Sequence, residues 1–310
     1  MSAFVETTRR LAVTSARAGG SALWWVHGLM VMTILFTSSS FPVAELITSA
    51  MPADVMMLIR FVMAAGLFAP LVFCRHGFHV PPVRRLLGYA LLSMPLATFF
   101  WCMFEALKDT TAIKTGALFT TIPAMTALLA LLINGERTTV RKSLGLMLGT
   151  LGAVWIVFKG ELAMALGLEL NTGDWIFFAG AVALSVYNTF IRRVYSGEPM
   201  EVMTFWVILF GAVWMFMVSL PSLAQVNWQQ PVSVYGGLFY LALFTTLLSF
   251  FLLQFGTVRI GPTKVASYSF LTPLFVWILS LLWGLAEFNW RLMPGLVLVV
   301  VAMVCIQKEQ

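Results

Sequence analysis

Long apolar runs fill the chain, separated by short connectors rich in proline, glycine and charge. A helix that crosses about 30 Å of hydrocarbon needs about 20 mostly apolar residues. That ruler marks runs near 23–43, 54–73, 86–107, 112–133, 143–158, 174–191, 202–221, 234–255, 264–285 and 292–306. The pattern predicts an all-α integral membrane protein with ten transmembrane helices. The fifth and tenth runs are short and would borrow interfacial residues. Turn punctuation such as Met51-Pro52, Pro81-Pro82, Asn134-Gly135 and Gly261-Pro262 lies between runs.

Composition narrows the picture. Of 310 residues, 60% are hydrophobic and 10% charged, against about 45–50% and about 25% in soluble domains. A soluble fold would have too few charges to cover its surface, which argues against a soluble enzyme, a disordered chain or a nucleic-acid binder. The expected partners are membrane lipids and a small-molecule substrate, with a homodimer left open. Arg9-Arg10 precedes the first run, but that run is too long for a signal core and no small-x-small site closes it. Residues 1–22 therefore read as a cytoplasmic segment before an uncleaved first span.

The net charge of +6 is read by position. With the N-terminus in the cytoplasm, only Arg60, Lys108, Lys114, Lys159 and Arg291 of the 19 basic residues fall off the inner connectors and span ends. This asymmetry predicts both termini in the cytoplasm of a cell whose inner membrane holds the chain. Three cysteines form no C-x-x-C pair, and three histidines show no metal-ligand spacing. No phosphate-binding loop and no His/Asp or Ser/His set at helical spacing is present. Neither cofactor nor metal, and no catalysis, is expected.

The chain also repeats itself. Lys114 and Lys264 lie 150 residues apart, as do Pro123 and Pro273. Leucines match at the same offset, but only the lysine and proline are scarce enough inside spans to weigh. The repeat divides the chain into five-helix halves, 23–158 and 174–306. Five is odd, so the second half enters the membrane inverted, an arrangement that builds transporters with a midplane substrate site.

At this point the sequence resembles the EamA-type branch of the drug/metabolite transporter superfamily, from the first span to the last. Ser39-Ser40-Phe41-Pro42 resembles that family's W-G-S-S-F opening, with Thr37-Ser38 in place of W-G. Pro52 followed by Arg60-Phe61 is similar to its second span. Gly173-Asp174, Tyr187 and Arg192-Arg193 resemble the start of its second repeat. Tyr240 to Phe244, Ala266-Ser267 and Pro273 resemble its eighth and ninth spans. The resemblance implies ten spans and transport of a small metabolite.

Within the spans, a few residues stand out. Pro42, Pro123 and Pro273 free carbonyls four residues back and read as hinges or as fixed kinks. Intramembrane charges cost about 2.5–3.5 kcal/mol on insertion scales and default to functional hypotheses. Arg60 suggests an ion pair with Glu45 or Glu105. Glu105 reads either as a partner of Lys108 or as a proton-binding carboxylate. Lys114 and Lys264 read as snorkelling cations, or as first-turn lysines whose charge, disfavoured by the helix dipole, is compensated by an anionic ligand or a carboxylate. Trp101, Tyr187, Asn188, Tyr268, Gln254 and Ser39 are candidates to contact an amphipathic substrate, or else core residues. These features suggest export of an amino-acid-like or other amphipathic metabolite by alternating access, with proton coupling left open. The alternative is an antiporter or importer of an anion held between Lys114 and Lys264. A scaffold or receptor without turnover is the remote reading.

Overall fold

The structure is a computed structural model and describes residues 24–77, 80–135, 139–161, 170–260, 265 and 267–307. Among these residues every regular element is helical. The chain runs through α1 (Trp24–Ile47), α2 (Ala53–His76), α3 (Val83–Ala106), α4 (Ala112–Phe119), α5 (Ile122–Asn134) and α6 (Val140–Val157). It continues through α7 (Thr172–Val194), α8 (Met200–Leu223), α9 (Val232–Tyr240), a π-helical stretch (Leu241–Leu248) and α10 (Ser249–Ile260). A 3-10 turn (Tyr268–Leu271), α11 (Thr272–Leu282), a second 3-10 turn (Trp290–Leu292) and α12 (Met293–Gln307) follow.

These elements make ten spans. Span four is α4 with α5, and span eight runs from α9 through α10. Span nine is already helical at Val265 and Ser267 ahead of its 3-10 turn, and span ten begins in one. Eight spans are long and apolar enough to cross a membrane, and two shorter apolar helices, Ser143–Val157 and Tyr268–Leu282, complete the set. The tenth run is longer than the sequence suggested because Trp290–Leu292 extends α12. Leu128, Leu151 and Val218 lie exposed on the outer surface, where only lipid removes the cost of apolar exposure.

Helix boundaries follow local chemistry. Pro52, Pro82, Pro199 and Pro231 each stand just before a first helical residue. There a missing N–H costs nothing, since the first helical donors have no partner within the helix. Gly135, at φ 68°, ends α5 in the left-handed conformation that glycine adopts without strain. Asn171 and Asp174 begin α7 with a reciprocal capping box.

The prolines of spans four and nine each stand just after a tightened turn. Pro123 lies in the first turn of α5 and Pro273 in the first turn of α11. In span four, Thr120 and Thr121 donate their hydroxyls to the carbonyls of Ala117 and Leu118 at 2.7 Å. Each span is therefore two segments joined at a break, and the breaks repeat at the same offset of 150: α5 begins at Ile122, α11 at Thr272.

Packing between the halves has matching two-fold symmetry. Span three packs on span six, as span eight packs on span one; span four packs on span six, as span nine packs on span one. Spans two and seven, five and ten, and four and nine pair with each other, and a shift by five maps each pair onto itself. The protein is thus two five-helix repeats, inverted because each half crosses an odd number of times.

Without water to expel, spans associate through close packing. On α6, a Cβ added to Gly152 would lie 2.8 Å from the Gly295 carbonyl of α12. One added to Gly149 would lie 2.0 Å from the Phe270 ring. α6 lies close against α12 at Gly152, and against the Phe270 ring of span nine at Gly149, because these positions have no side chain.

Candidate functional site

Cross-links between connectors define two ends of the bundle. At the terminal end, where Trp24 and Gln307 lie, Arg85 Nη1 approaches Glu198 at 3.8 Å, and Arg193 donates to the Ile133 carbonyl at 2.8 Å. At the far end, Trp155 donates to the Arg291 carbonyl at 2.7 Å, and Arg291 pairs with Glu161.

Between these ends lies a cavity of about 490 Å³. Spans from both halves line it, with Thr37 and Ser40 of α1, Tyr187 and Asn188 of α7, and Thr245 and Ser249 of span eight among its polar groups. Its wall runs from mid-depth toward the terminal end, down to Val265 and Ile306. A lateral groove of about 380 Å³ between α5 and α6 shares Ala127 and Leu146 with the cavity wall.

The far side is shut in two layers. The first is aromatic. Phe41, Phe99, Phe119 and Phe177 pack ring to ring, with centroid separations of 5.5 Å for Phe41–Phe119 and 6.1 Å for Phe99–Phe177. The second is polar. Lys114 Nζ donates to Asp174 Oδ2 at 2.9 Å, and Thr110 Oγ1 donates to Asp174 Oδ1 at 2.5 Å. The Asp174 side chain is fully buried and that of Lys114 is 16% exposed. Glu45 Oε2 accepts the Ala112 N–H at 3.2 Å, placing a carboxylate at the N-terminus of α4, where the helix dipole favours one.

Of the readings of Lys114, the carboxylate partner is the one the structure shows. Its ammonium is held by Asp174 at the far end, and the residue is not on the cavity wall. The compensation that a lysine in a first helical turn demands comes from the protein itself. Lys264 lies outside the described residues. Glu105 pairs with Lys108 at 2.6 Å, with both side chains partly exposed, and is not on the cavity wall either.

Arg60 is corrected. It pairs with neither Glu45 nor Glu105. Its Nη2 donates to Thr245 Oγ1 at 2.9 Å and Thr246 Oγ1 at 3.2 Å, and its Nε donates to Thr246 Oγ1 at 3.3 Å. The guanidinium lies 4.3 Å from the Phe100 ring centroid, a cation–π contact. The residue is 2% exposed, and its Nη1 has no hydrogen-bond partner among the described residues. Arg60 lines the cavity.

The π-helical stretch supplies the threonines. Its wider turn lets Thr246 and Ser249 donate their hydroxyls to carbonyls five residues back, Leu241 and Phe244, at 3.1 and 2.8 Å. Such stretches are rare and concentrate at functional sites. Thr245 and Thr246, neighbours in sequence, thereby both reach the same guanidinium.

Of the other expected contacts, Tyr187 and Asn188 line the cavity. Ser39 does not; its hydroxyl donates to the Phe36 carbonyl at 2.7 Å and meets the Tyr240 hydroxyl at 2.8 Å. Tyr268 is buried against His27, while its neighbours Ser267 and Ser269 face the cavity. Trp101 packs into the main hydrophobic core and is not on the wall. The side chain of Gln254 lies outside the described residues. Pro42 sits inside α1 beside the lining residues Ser40 and Phe41. The sequence reading missed Phe99, Phe100 and the Thr245-Thr246 pair; two adjacent threonines at mid-depth were the available signal.

Comparison with known proteins agrees with this architecture. The EamA-like transporter family matches residues 24–158 and again residues 171–307. A Bacillus subtilis protein described as an uncharacterized transporter, YyaM, is 26% identical over 250 residues, which is 79% of this chain and 82% of that protein. An Archaeoglobus fulgidus protein, likewise described as an uncharacterized transporter, is 26% identical over 82% of this chain and 87% of its own length. A protein of known crystal structure shares the fold with a TM-score of 0.66, at 20% identity over 89% of this chain and 94% of its own. The family match recurs in both five-helix halves, and the chain belongs to the EamA-like transporter family.

Proposed function

We propose that this transporter exports a small amphipathic metabolite by alternating access, with its terminal end and both termini in the cytoplasm of a cell bounded by the inner membrane. One observation carries the reading: a single cavity, built from both inverted halves, reaches toward the terminal end and is shut from the far end by an aromatic layer and a buried ion pair. Rocking one half against the other would exchange which end is shut. The basic connectors support the orientation, since lysine and arginine accumulate on the cytoplasmic side.

Among the described residues none lining the cavity is acidic, so this reading uses no cavity carboxylate as a proton carrier and draws on the substrate gradient or exchange. An anion held between Lys114 and Lys264 is not adopted, because Asp174 already holds Lys114.

The test is reactivity with a membrane-impermeant maleimide in a background lacking Cys74, Cys102 and Cys305. Single cysteines placed at Thr126, on the cavity wall, and at Thr115, beneath the far-end layers, report the two sides. In proteoliposomes supplied with pooled metabolites, labelling at Thr126 falls as labelling at Thr115 rises. Labelling that never exchanges, together with no protein-dependent flux of any pooled compound, overturns the reading.

A further inference from the structure

We propose that Arg60 anchors the carboxylate of the transported molecule, making the substrate an amphipathic monoanion. The inference rests on the transport reading of the cavity and deepens it by naming a substrate class.

The argument starts from an imbalance. Arg60 is 2% exposed, lines the cavity and has no carboxylate beside it; its polar partners are two threonine hydroxyls. Hydroxyls satisfy hydrogen bonds but do not neutralise charge. A buried cation without a counter-charge is costly, and such groups are normally paired. The other acceptor-bearing side chains of the wall, including Asn188 and Ser40, are neutral, and among the described residues none on the wall is acidic. An anionic occupant of the cavity would supply the missing negative charge.

The geometry specifies how it binds. Thr245 and Thr246 hold Nη2 and Nε, and Phe100 covers one face of the guanidinium. The fork is fixed in orientation, with Nη1 left uncommitted. With Nε and Nη2 held by the threonines, a carboxylate oxygen would meet the guanidinium through Nη1, a charge-assisted hydrogen bond stronger than a neutral one. Phe99, Phe119, Phe250 and Phe270 form apolar walls around the same space. A ligand with one carboxylate and an apolar or aromatic body satisfies both features. An amino acid does so less well, since its ammonium would meet no carboxylate on the wall and would share the cavity with Arg60. The proposal therefore favours simple organic acids over zwitterions.

Equilibrium binding to the full-length protein in nanodiscs tests this with four probes sharing one body: 3-phenylpropionate, its neutral amide, 3-phenylpropylamine and phenylalanine. The acid is expected to bind at least about tenfold more tightly than the amide, as for a site built to pair a specific group. The amine and the zwitterion are expected to bind more weakly still. Arg60→Gln abolishes the preference for the acid, and Arg60→Lys keeps part of it. The acid-against-amide comparison needs no variant, so a folding defect in Arg60→Gln does not blunt the test. Equal affinity for acid and amide, or tightest binding by the zwitterion, overturns the proposal. If access still exchanges between Thr126 and Thr115 while the acid shows no preference, the transport reading stands and the carboxylate anchor alone falls.

Discussion

Lys114 and Asp174 meet across the boundary between the two halves, with Nζ 2.9 Å from Oδ2 and the carboxylate fully buried. Lys114 belongs to the first turn of α4 and Asp174 to the first turn of α7. The pair fastens span four to span six. Its counterpart under the repeat would join span nine to the start of span one, yet Trp24 to Gly28 contains no carboxylate. Among the described residues, the start of span one offers no matching partner.

Removing it should favour the opposite state. Asp174→Asn leaves an amide that still caps α7 but removes the charge opposite Lys114. Breaking a buried pair from one side costs about 3–5 kcal/mol. The expected result is faster labelling of a cysteine at Thr115 and a lower melting temperature. Lys114→Met with Asp174→Asn should recover part of the stability without restoring the resting access. Unchanged labelling would show that the pair does not hold the far end shut.

Glu105→Gln should transport as the wild type does, with an unchanged pH profile. Its carboxylate is partly exposed and paired with Lys108 three residues on, and such pairs contribute about 0–1 kcal/mol. A pH profile displaced by this substitution would restore Glu105 as a proton carrier.

Two glycine substitutions should differ sharply. An alanine Cβ at position 149 would lie 2.0 Å from Phe270, whose ring lines the cavity. Gly149→Ala should therefore cost about 1–3 kcal/mol from overpacking and push that ring toward the substrate space. At Gly66 nothing lies within 4 Å of an added Cβ, so Gly66→Ala should be neutral or slightly stabilising. Thermal unfolding in detergent, alongside flux, separates the two.

The prolines should divide as well. Pro123→Ala and Pro273→Ala occupy first-turn positions, where an added N–H gains little, and stability should change by less than about 1 kcal/mol. Pro42→Ala lies inside α1 and returns a backbone donor to the Ser38 carbonyl. It should straighten α1 and shift the labelling ratio between Thr126 and Thr115. Equal effects from all three would contradict the difference in placement.

Much of the architecture was legible because membrane crossing imposes length and apolarity, and both can be read from residue order alone. The lysine–proline spacing also located the two broken spans. The site was less legible. Arg60 was visible as a buried charge, but its partners lie 185 and 186 residues away, on a helical stretch whose wider turn leaves no sequence signature. The repeat relates Lys114 to Lys264, and that relation suggested a shared cavity. The clue to Asp174 was the Asn171-to-Asp174 capping spacing, which starts α7 at the same depth. Capping fixes where a helix begins, but only tertiary packing decides what else that carboxylate touches.

The break in span four leaves α4 as an eight-residue strut between the far connector and the interior. Lys114, in its first turn, belongs to the polar layer, and Phe119, its last residue, belongs to the aromatic layer. A strut this short has no internal joint at which its ends could part company. If it swings, the ion pair and the ring contacts would let go in the same stroke, and the two barriers would part as one.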